Sequence, residues 1–150
     1  MNIRIEDIKR LRSETDAAVS DCRQALEDTN GDFKKAIEYL RKKAVQKADK
    51  KAEREVKSGY IFSYIHHTGR VGVIVSLACE TDFVAKNDEF QKLGKELALH
   101  ICAANPESIE DLLKQDYVRD ASKTVHTLIK EVIGKLGENI QVIDFKVLTV

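Results

Sequence analysis

The run VGVIVSLAC, Val71 to Cys79, constrains this chain more than any other stretch. It passes without a charge and is dominated by β-branched and small residues, which suits a strand covered by other elements better than a helix. Upstream, Gly59 to His66 alternates or runs apolar with aromatic and β-branched residues. HTGR between the two places Gly69 at a turn, so the pair predicts a β-hairpin. On the second strand Val71, Val73, Val75, Leu77 and Cys79 share one face, while Gly72, Ile74, Ser76 and Ala78 share the other. Both faces are expected to be covered, the small-residue side lying close to another layer.

Directly after the hairpin comes ETDFVAKN, Glu80 to Asn87. Strand-to-helix connections normally carry polar, turn-forming residues, yet Phe83 and Val84 follow Thr81 and Asp82 at once. Two placements of Phe83 satisfy the sequence. In one, Asp82 is the N-cap of a single turn and Phe83 folds back into the core, where large apolar residues mostly lie. In the other, Phe83 is a rigidly placed tip beside a carboxylate, offered to a partner as aromatic anchors are.

Helical periodicity accounts for most of the remainder. Ile5, Ile8 and Leu11 mark one helix, interrupted at SETDAA; Val19, Cys22, Ala25 and Leu26 mark a second, closed by Asn30 and Gly31. Asp32 suits the N-cap of a third, with Phe33, Ala36, Ile37 and Leu40 as its apolar stripe. From Arg41 to Lys57 the chain is helix-favouring with little to bury and carries eight basic against three acidic residues, which predicts a basic linker helix and a boundary near Lys57. Beyond the hairpin, Asn87 suits the cap of a helix buried through Phe90, Leu93, Leu97 and Ile101 and stopping before Pro106, the only proline. A short helix follows at Ile109 to Leu113. Val125, Leu128, Ile129, Val132 and Leu136 define another, ended by Gly137, and NIQVIDFKVLTV closes as a third strand with Ile143, Phe145 and Val147 on one face. The fold expected is α+β, a three-helix module at 1–57 with its linker, then a three-stranded antiparallel sheet carrying helices at 58–150.

The chemistry excluded is as informative. With 25 basic and 25 acidic residues the chain has no global pull toward nucleic acid or membrane. Acidic residues interrupt the basic stretch and no aromatic accompanies it as a stacking platform, so no direct nucleic-acid partner is expected. No apolar run approaches the roughly 20 residues of a spanning helix, and the start is charged, so no membrane association and a cytoplasmic location are expected. Cys22, Cys79 and Cys102 read as separate reduced thiols. His66 and His67, adjacent in an extended strand, are expected to point to opposite faces, and His100 and His126 lack zinc spacing, so neither metal nor cofactor is assigned. No nucleophile motif or phosphate loop is present, and an enzyme is not expected. A binding module built on the three helices and an RNA-binding protein built on the basic stretch remain the other classes.

Taken together, DCRQALEDTNGDFKKAIEYLRKKA, ETDFVAKNDEF, DASKTV and KLGENIQV closely resemble the elongation factor Ts family over nearly the whole length. The resemblance implies an N-terminal module like a ubiquitin-associated domain and guanine-nucleotide exchange on elongation factor Tu. Its Thr-Asp-Phe loop enters near that partner's magnesium and phosphate site. Matched by motif, Asp82 and Phe83 are the intruding pair, Thr81, Val84 and Ala85 shape the loop, and Arg12, Val19, Ser20 and Arg23 form the contact surface of the module. The family usually has Thr-Gly-Ala-Gly where this chain has Thr15 to Ala18, TDAA. Without those glycines the turn is expected to avoid left-handed angles. The chain is also short between HICAANP and LLKQDYVRD, which by resemblance to other short members implies a homodimer packed through the sheet, with a monomer docking alone as the competing arrangement.

Overall fold

The computed structural model describes residues 2–150. Strand β1 (Ser58–Ile65) and strand β2 (Val71–Cys79) form an antiparallel hairpin with Phe62 opposite Val75, and Gly69 takes φ 69° at the turn. Strand β5 (Ile140–Thr149) pairs antiparallel with the other edge of β2, giving the order β1-β2-β5. The charge-free run is therefore the central strand, the position with no backbone edge left for solvent.

Helix α5 (Asp88–Ala104) covers the inner face of the sheet. Its Phe90, Leu93, Leu97 and Ile101 are buried with Phe62, Val73, Val75 and Leu77 of the hairpin. Burial of each such side chain contributes about 2 kcal/mol. The helix approaches closely because Gly94 lies over the Phe62 ring, where a Cβ would overlap the ring carbons. Helix α6 (Ile109–Lys114), capped by Ser108, and helix α7 (Val125–Leu136), capped by Thr124 and ended by Gly137 at φ 76°, complete this cluster.

Helices α1 (Ile5–Thr15), α2 (Val19–Asp28) and α3 (Phe33–Asp49) enclose a second cluster of Leu11, Cys22, Ala25, Leu26, Ala36 and Leu40. Asn30 and Gly31 adopt left-handed angles between α2 and α3, and Asp32 accepts the Lys35 N–H as N-cap. Ile5 and Val19 stay 70% and 51% exposed, because both sit in the first turn of a helix, where the apolar stripe runs past the packed region.

Several expectations are corrected. The basic stretch is no separate linker helix: α3 runs unbroken to Asp49, and only turns and irregular backbone follow to Lys57. Nor has it little to bury. Ala44 and Ala48 continue the spacing of Leu40 by fours; Ala48 is fully buried in the sheet cluster, and Ala44 faces Gly134 of α7, so two small residues bring the helices together. The outer face of the sheet is not covered in this chain, leaving Ile61, Ile65, Ile74 and Leu148 exposed. Ile143 does not share a face with Phe145 and Val147. A bulge pairs Ser76 with Asp144 but Leu77 with Val142, so Ile143 is the unpaired extra residue, while Val142 and Ile140 take the inward positions.

A small second sheet, strands β3 (Asp116–Tyr117) and β4 (Asp120–Thr124), was not expected from residues of such low strand propensity. Partners from elsewhere hold it. The Tyr117 hydroxyl donates to Glu96 at 2.6 Å, and Arg119 pairs with the same carboxylate; Arg41 of α3 reaches Asp120 at 3.5 Å and Glu131 at 3.4 Å. Burial and the Glu96 carboxylate push the Tyr117 phenol up. The buried His100 receives the Val118 N–H at Nδ1 and so donates from Nε2 to Gln115, fixing its tautomer.

Gly94→Ala is expected to destabilise the protein by about 3 kcal/mol, since the Phe62 ring is enclosed by the core and has no free space to vacate the overlap. Denaturant unfolding at 25 °C measures it.

Candidate functional site

Strand β2 delivers the chain to the end of α5 through Glu80 and Thr81, after which Asp82–Ala85 form a single helical turn, α4. Its four residues divide between two environments. Ala85 is buried, Val84 packs against the sheet cluster, and Phe83 stands 90% exposed beside the exposed Asp82. Of the two placements open in the sequence, the outward one holds for Phe83. The cap, however, is Thr81 and not Asp82: the Thr81 hydroxyl oxygen accepts the Val84 N–H at 3.4 Å, and Asp82 is the first helical residue, its carboxylate accepting the Ser58 hydroxyl. The Asp82 carboxylate is engaged by Ser58, which leaves the cap to the residue before it.

A turn this short cannot support itself, and its supports come from three other elements. Glu138, just past α7, accepts the Glu80 N–H at 3.1 Å and the Thr81 N–H at 2.9 Å through Oε1, and the Thr81 hydroxyl at 2.6 Å through Oε2. Glu80 answers by accepting the Asn139 N–H at 2.8 Å, and the buried Asn139 amide donates to the Arg54 carbonyl at 2.8 Å. On the exit side Gln91 donates to the Ala85 carbonyl at 2.7 Å, while Asn87 caps α5 through the Glu89 N–H. The Cys79 thiol, pushed up by burial, donates to the Thr81 carbonyl at 3.2 Å. Glu80 belongs to the segment already singled out; Glu138 and Asn139 lay within KLGENIQV, but no periodicity or spacing marks a carboxylate 57 residues away as its partner.

The module residues Arg12, Val19, Ser20 and Arg23 are all exposed, with Arg23 paired to Glu27 at 2.9 Å. The turn between α1 and α2 does adopt a left-handed angle, contrary to expectation: Asp16 has φ 53°. Aspartate visits this region at modest cost, and here its carboxylate bonds Lys135 of α7 at 2.9 Å. Lys135 also pairs with Glu89, in the first turn of α5, at 3.6 Å. Although burial opposes its charge, the hydrogen bond to Asp16 and the charge of Glu89 hold Lys135 above its ordinary value. One ammonium thus ties the turn of the module to the helix that follows α4. Beside it, a cleft of about 460 Å³ opens between the same turn, α3 and α7. Within it Asp21 accepts from both Lys43 and Lys47 at 2.8 Å, which lowers the aspartate's pKa.

His66 and His67 do not point apart. β1 ends at Ile65, so both lie in the turn, and their rings sit 4.2 Å apart. Among the described residues no cluster of three His, Cys, Asp or Glu is arranged to hold a metal ion, and no helix is long and apolar enough to cross a membrane. The cysteines are unpaired.

Residues 80–150 match the family model described as Elongation factor TS. A curated relative from Fervidobacterium nodosum named Elongation factor Ts is 39% identical over 190 aligned positions, covering 97% of this chain and 96% of the relative. Another of that name from Leptospira biflexa is 40% identical over 95% of this chain and 94% of its own length. A third, from Trichlorobacter lovleyi, is 45% identical over 95% of this chain but 46% of its own, so the chain spans about half of that longer relative.

The Asp16 link has a pH signature. Hydrogen bonding to Lys135 and its charge lower the Asp16 pKa below the ordinary 3.8. A depressed carboxylate contributes stability that is complete above its unfolded value and lost as pH falls through the folded one, here below about 3.8. Lys135→Met is expected to return the Asp16 carboxyl, followed by NMR titration, to the ordinary range and to flatten this part of the acid unfolding curve.

Proposed function

This chain belongs to the elongation factor Ts family of translation elongation factors, and on that premise we propose that it is a guanine-nucleotide exchange factor, promoting GDP release from elongation factor Tu. The observation that carries the reading is the outward Phe83 on a turn braced from both ends. A large apolar side chain held 90% exposed loses favourable burial in the free protein, and that loss is recovered when the ring enters a pocket of a partner.

Exchange makes and breaks no covalent bond. It requires that nucleotide and exchange factor oppose each other's binding, each weakening the other by the same factor. Phe83 acts as the wedge between elements of the GTPase domain, and Asp82 brings a carboxylate toward the polar network supporting the partner's magnesium and β-phosphate. Thr81, Val84 and Ala85 hold the turn, while Arg12, Val19, Ser20 and Arg23 of the helical module grip a second region of the same domain. Lys135 supports this two-point grip by linking the module's turn to α5. The magnesium belongs to the partner.

A second copy of this chain is the occupant we propose for the outer face of the sheet. Ile61 and Ile65 of β1, Ile74 of β2 and Leu148 of β5 are exposed there around the small Gly72 and Ser76, an apolar patch bordered on β5 by the Lys146–Asp144 ion pair, whose opposite charges a symmetric partner with the same strands matches.

Release of fluorescent GDP from elongation factor Tu tests the exchange reading. Phe83→Ala is expected to cost about 2 kcal/mol of transition-state binding, roughly thirtyfold in rate, and Asp82→Ala with Phe83→Ala to abolish most of the acceleration. A folded double variant that matches the wild-type rate would sink the reading. For the dimer, Ile61→Lys combined with Ile74→Lys is expected to shift sedimentation from dimer to monomer without unfolding; a wild-type chain that sediments as a monomer at micromolar concentration rules it out.

A further inference from the structure

We infer that Glu138 is the positioning residue of the exchange loop, setting the direction in which Phe83 projects; this rests on the exchange reading above. The ring of Phe83, 90% exposed, has no packing of its own to orient it, so its direction is inherited from the backbone of α4. That backbone is one turn long and its entry is fixed by Thr81. Thr81 is in turn held on both sides of its Cα by one carboxylate, through its N–H and its hydroxyl.

The hydroxyl bond matters most for direction. Its single proton goes to Glu138 Oε2 at 2.6 Å, which turns an oxygen lone pair toward the Val84 N–H it caps. Glu138 Oε1 takes the N–H groups of Glu80 and Thr81 together, so the backbone cannot rotate at the end of β2 without breaking two bonds to one carboxylate oxygen. Glu138 itself cannot drift, since the Gly137 helix end precedes it and Asn139, bonded to Glu80 and Arg54, follows. The exit from α4 is held separately by Gln91 and Asn87. Removing Glu138 thus leaves the entry to α4 held only by the Cys79 thiol on the Thr81 carbonyl and the Ser58 hydroxyl on the Asp82 carboxylate, while Val84 and Ala85 keep their packing, and Phe83 then swings over a wider arc.

The chain contains no tryptophan, so Phe83→Trp supplies a single reporter at the tip. In that background Glu138→Ala is expected to lower the fluorescence anisotropy of the indole by about half, with Glu138→Gln, which keeps a carbonyl acceptor, falling between. In the exchange assay Glu138→Ala is expected to reduce the maximal GDP-release rate about tenfold while the half-saturating concentration changes by less than about twofold, because module contacts are untouched. Added to Phe83→Ala it is expected to cost nothing further, since the group it orients is gone.

Wild-type anisotropy and maximal rate in Glu138→Ala overturn the positioning role. So does a rate loss that only tracks a lowered melting temperature, or one that adds in full to that of Phe83→Ala. If Phe83→Ala alone exchanges at the wild-type rate, the exchange reading falls and the positioning role with it. A Phe83→Ala defect beside a silent Glu138→Ala overturns the positioning role alone.

Discussion

The seating of α5 on the inner face of β2 is the constraint from which the other placements follow. Val73, Val75 and Leu77 meet Leu93, Leu97 and Ile101 with Phe62 over Gly94, and these residues are closed to water. Close packing of this kind leaves little latitude in how strand and helix lie. The connection between them, Glu80 to Asn87, folds back as the single turn α4. Ala85 and Val84 finish the packing, and the residues not needed inside are left outside. The exposed tip is in this sense a by-product of strand and helix geometry, and only the hydrogen bonds around it are specific to its shape.

How much of this was legible in the sequence depended on whether the signal was periodic and local. The stripes of α3, α5 and α7, the caps at Asp32 and Asn87 and the Gly69 turn were all readable, because each rests on residues within a turn or a strand of one another. The bulge at Ile143 was not, since alternation is broken by pairing with β2 and nothing in NIQVIDFKVLTV announces the extra residue. The left-handed angle at Asp16 is not legible, because a turn without glycine ordinarily avoids that region, whereas here an aspartate with a cation on another helix adopts it. Ala44 and Ala48 hid in a charged stretch, where small residues read as helix propensity, although here they are contact surface. On physical grounds alone Phe83 reads as core more readily than as contact, and only its place in ETDFVAKNDEF turns it toward the outside.

Charge is used in this molecule chiefly to join elements. Arg41 binds α3 to the β3–β4 hairpin and to α7, Lys130 meets Asp49 at 3.1 Å, and Lys135 connects α7 with both the α1–α2 turn and α5. Individually such partly exposed pairs contribute little stability. Their value lies in direction, because each crosses a boundary between elements and fixes how one lies against the other. A chain with equal numbers of acidic and basic residues can distribute them this way without accumulating a field of either sign.

Helix α3 belongs to both hydrophobic clusters, with Ala36 and Leu40 in one and Ala48 in the other. Its 17 residues make a rod about 25 Å long. An unbroken rod shared by two clusters gives them one common axle, so a change in the pitch of α3 between Leu40 and Ala48 is felt by both cores at once.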